Sequence, residues 1–552
     1  MMAARRIWSG TGTTATALTI LGLLTILLWY LPNRPQAARV AMPEARLHSV
    51  SYAPYRAWQS PLTKTFPSAA EVSQDLRLIA RHADGIRTYS SIEGDYDIGA
   101  LAKAAGLKVW LGIWLGSNPA DNAREMAAGI AEARRHPRTI TRVVVGNEVL
   151  LRRDLPPGLL MRDIDHVRRH VRQPVAYADV ASFWFQFPEV ARHVDIVMIH
   201  LLPYWQNHPV DVNHAIARIA RTIAKAKRRF PGKRISVGET GWPSRGRWRG
   251  AAAPSRVEEA IFLRRFVSLA DADHVDYNLI EAFDQPWKYH DEGIAGANWG
   301  IWNAARQPKF PLRGGVVEMP RWPLYAGCAI LLGLILSLRR RTGGAILAFA
   351  LANAFVYAGA VTWHELYDRS LIICALVNIP AQVWLAWLAL RRASPGASPP
   401  IPGAATMRAA REAITGRNLA GLRLLATFDT VWFLFLLAAA TIQAMLVFDP
   451  RYRDAPFAVF AVPAVVALWR LIRRDAPPMT GWEDWLPSAC LALGAVASAV
   501  IEGALNLEFL AWNGLALILA APALLAFRRI RGNLHLPSRF ATEARSTATT
   551  EG

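Results

Sequence analysis

The chain has 552 residues, 53% of them hydrophobic and 19% charged, with a formal net charge of +21. That length exceeds one ordinary domain, and so apolar a composition points to membrane segments beside a soluble unit. The positive charge sits in short Arg clusters beside apolar runs (Arg339 to Arg341, Arg391 and Arg392, Arg473 and Arg474, Arg528, Arg529 and Arg531). This is the pattern of a positive-inside membrane topology, and no basic run interleaved with aromatics argues for nucleic acid as a partner.

In chain order, residues 1–12 read as a cytoplasmic N-terminus with Arg5 and Arg6, and 13–31 as a transmembrane anchor. A cleaved signal peptide is the rival, disfavoured because the following LPNRPQAARVAMPEA has no well-placed small-x-small site. A linker over 32–46 leads into a soluble α/β region, 47–313. Its apolar, β-branched runs lie at 48–55, 85–90, 108–115, 141–148, 174–179, 195–205, 234–244 and 277–287. They show little alternation, as strands buried on both faces do. Helical periodicity separates them, as over 70–84, 121–136 and 213–229. Eight such repeats predict a (β/α)8 TIM barrel followed by an α-helical transmembrane bundle. A doubly wound sheet is the runner-up, weakened by the lack of a Gly-rich loop after the first strand.

Seven more apolar segments fill 322–527, near 322–338, 343–363, 370–390, 424–447, 457–472, 486–503 and 507–527, with a polar, Pro-rich loop at 391–418. With the N-terminus inside, the barrel and the loops HELYDRS, FDPRYRDAP and IEGALNLE fall outside, and the 528–552 tail inside. The expectation is thus a multi-pass protein of the inner membrane, with eight spans and its soluble domain in the periplasm. Cys328, Cys374 and Cys490 all fall in the apolar segments, so the soluble domain holds no disulfide. Asp429, Gln443 and Glu502 are the polar residues to watch within the spans.

The fourth strand run ends Gly146-Asn147-Glu148 and the seventh Gly238-Glu239-Thr240-Gly241-Trp242-Pro243. A carboxylate closing a buried strand is costly unless it has work to do. Two of them on strands four and seven face each other across a barrel mouth, as the carboxyl pair of a retaining glycosidase must. Trp110, Trp114, Trp205, Trp242, Trp287 and Trp299 lie on or just after strands, where aromatic faces suit sugar rings. His48, His200 and His208 lack metal-ligand spacing.

The ordered set Gly85-Ile-Arg87-Thr-Tyr89, Val145-Gly-Asn147-Glu148, Leu202-Pro-Tyr204-Trp205, Val237-Gly-Glu239-Thr-Gly-Trp242-Pro-Ser244, Glu281-Ala-Phe-Asp284-Gln285-Pro-Trp-Lys288 and Trp299-Gly300 resembles glycoside hydrolase family 17. That family comprises β-1,3-glucanases and β-1,3-glucanosyltransferases, and this chain looks like a membrane-linked bacterial branch of it. The resemblance implies Glu148 as acid/base and Glu239 as nucleophile, with no cofactor and no metal. It implies substrate-side roles for Arg87, Tyr89, Asn147, Tyr204, Trp242, Glu281, Lys288 and Trp299. Tyr204 is expected to hydrogen-bond the nucleophile, and Arg87 and Tyr89 to orient it or the sugar. Gln285 departs from the acidic residue common in the fungal motif. The implied activity is remodelling of β-1,3-glucan by transglycosylation, with hydrolysis of the same bond as the alternative. A β-glucan, the bilayer and a neighbouring membrane glucan synthase are the implied partners. A synthase using an activated sugar is disfavoured because no Asp-x-Asp stands in a cytoplasmic segment. A catalytically dead scaffold is disfavoured by the retention of both glutamates.

Overall fold

Each apolar run between residues 50 and 279 forms a strand, and all run parallel. They are β1 (Val50–Ser51), β2 (Gly85–Arg87), β3 (Lys108–Ile113), β4 (Ile140–Asn147), β5 (Val175–Val180), β6 (Ile196–Leu201), β7 (Arg234–Thr240) and β8 (Asp276–Leu279). Each pairs with its sequence neighbours and β8 pairs back on β1, which closes the barrel. This is a computed structural model. It describes residues 2–533 apart from 38, 43–45, 339, 341, 395–407, 409–410, 413–414, 417–425 and 476–484, without side chains for 2–14 and 527–533. Arg339, Arg341, most of the 391–418 loop and the tail beyond 533 therefore lie outside the described residues.

Local chemistry sets the helix boundaries. Ser68 and Glu71 form a reciprocal capping box at the start of Ala69–Ile79, and Asn118 with Pro119 opens Pro119–Arg135. Asp211 caps Val212–Arg229 through two backbone N–H groups. The helices pack on the outside of the strands. A separate cluster of Trp110, Val144, Ala176, Ala178, Ile196 and Met198 gathers alternate residues of β3 to β6. Below it Arg142 stacks over Trp110 at 3.7 Å and pairs with Asp276 at 3.0 Å, so the barrel interior is packed and is no pore.

The two glutamate-bearing strands are irregular where it matters. On β4 three residues span the interval that two span on β5 (Val144↔Ala176, then Asn147↔Ala178). On β7, Ile199↔Val237 is followed by His200↔Glu239. Each bulge contains the glycine before the motif, and Gly146 takes φ +84°. A bulge bends its strand and re-aims the side chains beyond it.

Five helices of the C-terminal region are long and apolar enough to cross a bilayer, by length and composition: Thr342–Trp363, Arg369–Arg392, Phe428–Phe448, Trp485–Glu502 and Leu507–Ala526. Ala15–Tyr30 and Trp322–Ser337 are shorter apolar helices. The segment expected at 457–472 forms Ala461–Arg473, 13 residues or about 20 Å, which falls short of a hydrocarbon core of about 30 Å. Arg470 near its end is 1% exposed and pairs with Asp429 at 3.3 Å. Gln443 accepts from Trp512 Nε1 at 2.6 Å. Asp429 and Gln443 thus find their partners within the bundle. Glu502 lies at a helix end and pairs instead with Arg247 of the barrel.

Candidate active site

Gly146 and Gly238 let the ends of β4 and β7 turn inward. A Cβ on Gly238 would stand 2.6 Å from Met198 Cγ and 2.9 Å from His200 Cδ2. Glu148 itself takes the left-handed conformation (φ 53°, ψ 31°) as its N–H bonds Ala178 O at 2.8 Å. A non-glycine residue held there is strained, and such strain concentrates at functional sites. The result is a carboxylate from each strand on one side of a single group. Ligand atoms of Glu148, Glu239 and His200 all lie within 4.8 Å of one another.

Arg87 at the end of β2 organises this group. Its Nη1 donates to Glu239 Oε1 at 3.0 Å, to Gly238 O at 2.8 Å and toward His200 Nε2 at 3.2 Å, while Nη2 donates to Asn147 Oδ1 at 2.5 Å. A guanidinium only donates, so His200 Nε2 accepts, which leaves Nδ1–H to donate to Glu148 Oε1 at 2.8 Å. One imidazole thus touches both carboxylate environments. His200 is 2% exposed.

Burial pushes the Glu148 carboxyl up, but the His200 hydrogen bond and then the positive charge of Arg152 and Arg87 outweigh it and hold it below the usual range. The Tyr89 phenol, beneath the Arg87 guanidinium at 4.8 Å, is pushed well up by burial and by Glu239. It stays neutral and shares a hydrogen bond with Ser51 Oγ at 2.9 Å. Glu281 is lifted to about 7, chiefly by burial, although Lys288 Nζ sits 2.9 and 3.0 Å from its two oxygens. Burial alone would lower Lys288, but Glu281 and Glu292 outweigh it and hold the ammonium above its ordinary value. Glu292 is raised by burial and also by the charges of Glu239 and Glu148.

The residues singled out in the sequence separate into two groups. Arg87, Asn147, Glu148 and Glu239 gather in one cluster, with Tyr89 against Arg87. Glu281 and Lys288 pair with each other beyond the end of β8. Tyr204, expected on the nucleophile, instead donates to Arg247 O at 2.6 Å. Its ring wedges between Trp242 and Trp299, which turns the hydroxyl toward the β7 loop. Trp242 is 1% exposed, stacks on Phe262 and donates from Nε1 to Ala253 O, so it is core and not a sugar platform. Trp299 is likewise buried, at 3% exposure, against Trp205 and Tyr204. Gln285 is fully buried and bonds Ala53 O, Phe283 O and Trp287 Nε1, a loop-fixing role that needs no charge.

His200 and Glu292 went unassigned in the sequence. For His200 a signal existed: it continues the inward series Ile196, Met198 by period two. Spatially, Glu148, His200 and Glu239 have spacing that would suit a metal ion. The Arg87 guanidinium, in contact with both His200 and Glu239, opposes a second cation there.

Residues 49–300 match the model of the BtgE/BtgC glycoside hydrolase domain. The barrel is similar to glycoside hydrolase domains of that type. Among curated relatives, a probable glucan endo-1,3-beta-glucosidase btgC of Aspergillus clavatus is 27% identical over 293 residues, 47% of this chain and 42% of its own length. Glucan 1,3-beta-glucosidase BGL2 of Candida albicans is 26% identical over 265 residues, 43% of this chain and 84% of its own. This chain spans about two-fifths of the length of the Aspergillus relatives. A glycoside hydrolase family 17 beta-1,3-glucanosyltransferase from Rhizomucor miehei aligns at 23% identity and a TM-score of 0.43, over 49% of this chain and 98% of its own. The matched region contains both bulged strands and every residue that touches Glu148 or Glu239 named above.

Proposed function

We propose that this chain is a membrane-embedded, retaining β-1,3-glucan-active enzyme that transfers glucosyl units from one glucan to another through a covalent Glu239 intermediate. The observation that carries the reading is the carboxylate separation. Oxygens of Glu148 and Glu239 approach within 4.8 Å. That approach supports the ~5–5.5 Å spacing of a retaining pair over the about 6.5–9.5 Å of an inverting one.

The steps follow from the contacts. Glu239, held by Arg87, attacks the anomeric carbon while Glu148 gives its proton to the departing glycosidic oxygen. The bond to that oxygen breaks and a glucosyl ester on Glu239 forms. Glu148, now a carboxylate, takes the proton of an incoming hydroxyl, which attacks the same carbon and frees Glu239 with retained configuration. The free site favours the Glu148 carboxylate, so the acid form must be recruited by the substrate. The Glu148 side chain is 21% exposed. A bound sugar covers that exposed part and removes solvation that favours the charged form. Asn147 is fixed through Oδ1 by Arg87, so its NH2 is the end left to donate to a sugar hydroxyl.

The bilayer reading rests on the five apolar helices and on charge. The loops at 364–368, 449–455 and 502–508, which the Arg pattern sets outside, all lie against the barrel. This supports an extracytoplasmic catalytic domain on an inner-membrane bundle. Hydrolysis is the second reading, favoured by the names of the curated relatives. The test gives the full chain in nanodiscs defined β-1,3-gluco-oligosaccharides and weighs the products. Products longer than the substrate establish transfer, and only shorter ones establish hydrolysis. No product, or undiminished product from Glu239→Ala, overturns the reading.

A further inference from the structure

The segment after β8 cannot hold itself. Tyr289–Ala297 is a nine-residue helix with no side-chain N-cap, broken at Gly293 (φ 68°, ψ −165°). An isolated helix of that length is marginal in water even when unbroken. Yet this segment and the turn before it carry Lys288, paired with Glu281, and Glu292, whose carboxyl feels the charges of Glu148 and Glu239. Its order must come from what packs against it.

The barrel holds its C-terminal end, where Gln285 N donates to Ala297 O at 3.0 Å and Ser244 N to Asn298 O at 2.9 Å; the partners of its first turns and of its kink belong to the membrane half. The Tyr289 ring stacks on Tyr367 at 5.4 Å, and His290 Nε2 lies 3.1 Å from Asp368. Asn298 Nδ2 donates to the Tyr367 hydroxyl at 2.7 Å. At the kink itself, a Cβ on Gly293 would collide with Tyr452 O, so the break fits the backbone of the loop at 449–455. The Tyr452 ring meets Trp205, on the loop after β6, edge-on at 6.0 Å. The loop after β7 is tied down independently. Arg247 is 6% exposed, pairs with Glu502 and donates to Arg453 O at 2.9 Å, while Trp248 N donates to Glu508 at 2.7 Å. All three sites are on the rim that holds the ends of β6 to β8.

We propose that the outer loops of the membrane bundle are a working part of the catalytic domain, with Tyr367 and Tyr452 as the positioning residues of a clamp: the Tyr367 side chain and the Tyr452 backbone seat residues 286–298, the segment that carries Lys288 and Glu292, and the Tyr452 ring seats Trp205. The effect on turnover rests on the glucan-active reading above; the clamp itself does not. The two tyrosines touch neither carboxylate, and act through the segment they pin. The barrel is then active only as part of its own membrane protein.

The test uses the full chain in nanodiscs, as wild type, Tyr367→Ala/Tyr452→Ala, and the two single Tyr→Phe variants. Hydrogen–deuterium exchange reads the clamp, and kcat and KM on β-1,3-gluco-oligosaccharides read its consequence. In the alanine variant, exchange across 286–298 should speed up about tenfold or more while peptides of β4 and β7 stay protected. Turnover should fall by about 10²-fold, mostly in kcat, as for misplaced groups at a reacting centre. Tyr452→Phe should restore the wild-type pattern, and Tyr367→Phe, which loses only the hydroxyl that accepts from Asn298, should lie between. Unchanged exchange over 286–298 overturns the clamp whatever the activity. Faster exchange with unchanged kcat overturns its catalytic role. If the alanine variant does not fold, Tyr367→Phe decides on the same two readouts. A wild type inert on β-1,3-glucan would sink the substrate reading and leave the exchange data to judge the clamp.

Discussion

Replacing Arg87 by methionine is the most informative single change, because stability and activity should fall together. Arg87 is 1% exposed and the Glu239 side chain 6%. Of the acceptors it would abandon, Gly238 O keeps the Asn278 Nδ2 donor at 3.0 Å, and half-buried Asn147 can turn to solvent. Glu239 keeps only the His200 Nε2 at 3.6 Å, beyond hydrogen-bond reach, so the cost approaches that of an orphaned buried carboxylate, about 3–5 kcal/mol. For a domain of this size 1 kcal/mol moves Tm by about 2–4 °C, so the barrel transition should drop by about 6–20 °C. Arg87→Lys keeps the charge but cannot fork between Glu239 and Asn147, so it should cost about 1 kcal/mol in stability and still lose about tenfold or more in kcat/KM. Thermal unfolding followed by tryptophan fluorescence, with oligosaccharide turnover on the same samples, checks both. Arg87→Met with an unchanged transition and normal turnover would refute the central role of this guanidinium.

Four further outcomes are expected. Glu148→Gln should abolish turnover on oligosaccharides, because the leaving oxygen loses its proton donor, and a fully active variant removes Glu148 from the acid/base role. His200→Leu removes the bond that outweighs burial at Glu148, so that carboxyl should rise; as the acid must be protonated, the alkaline limb of the kcat–pH profile should move to higher pH, and an unmoved limb or a shift to lower pH rejects the assignment. Glu281, at about 7 when folded and about 4.3 when unfolded, holds more protons in the folded state between those values, so stability should fall as pH rises through that window. Glu281→Gln should flatten that slope in Tm measured from about pH 4.5 to 7.5. Trp242→Ala should cost about 3–5 kcal/mol through a core cavity, read as a lowered Tm, which a sugar-platform role alone would not produce.

The barrel was legible because its signals are local and repeated. Eight buried β-branched runs and capped helices leave few topologies, and β7, expected over 234–244, forms over Arg234–Thr240. The glutamate pair was legible from order along the chain, since strands four and seven of a closed barrel face each other. Arg87 and Asn147 were found with them because their motifs sit at strand ends. What failed was the direction of side chains beyond the strands. Trp242 follows the β7 bulge and Tyr204 sits within the 3₁₀ turn Pro203–Trp205, where period-two reasoning stops, and both point into packing between loops. His200 was missed for the opposite reason. It obeys the period, but a lone histidine in an apolar run reads as core until its neighbours in space are known.

The membrane half shows the same limit at longer range. The charge pattern orients the spans but gives no reason for their number, since one helix suffices as a tether. The contacts supply that reason. Tyr367 lies 69 residues from its partner Asn298, and Glu502 lies 255 residues from Arg247. Arg453, whose carbonyl also accepts from Arg247, is 206 residues away from it. Three loops can meet one barrel rim together only if the helices between them are packed in a fixed arrangement, as Asp429 with Arg470 and Gln443 with Trp512 fix it inside the bundle. A single-span anchor would present none of these loops. Exchanging the bundle for one unrelated apolar helix should therefore keep the barrel folded and membrane-bound yet leave residues 286–298 unprotected from exchange. Full protection in that chimera would show that the extra spans serve something other than the rim.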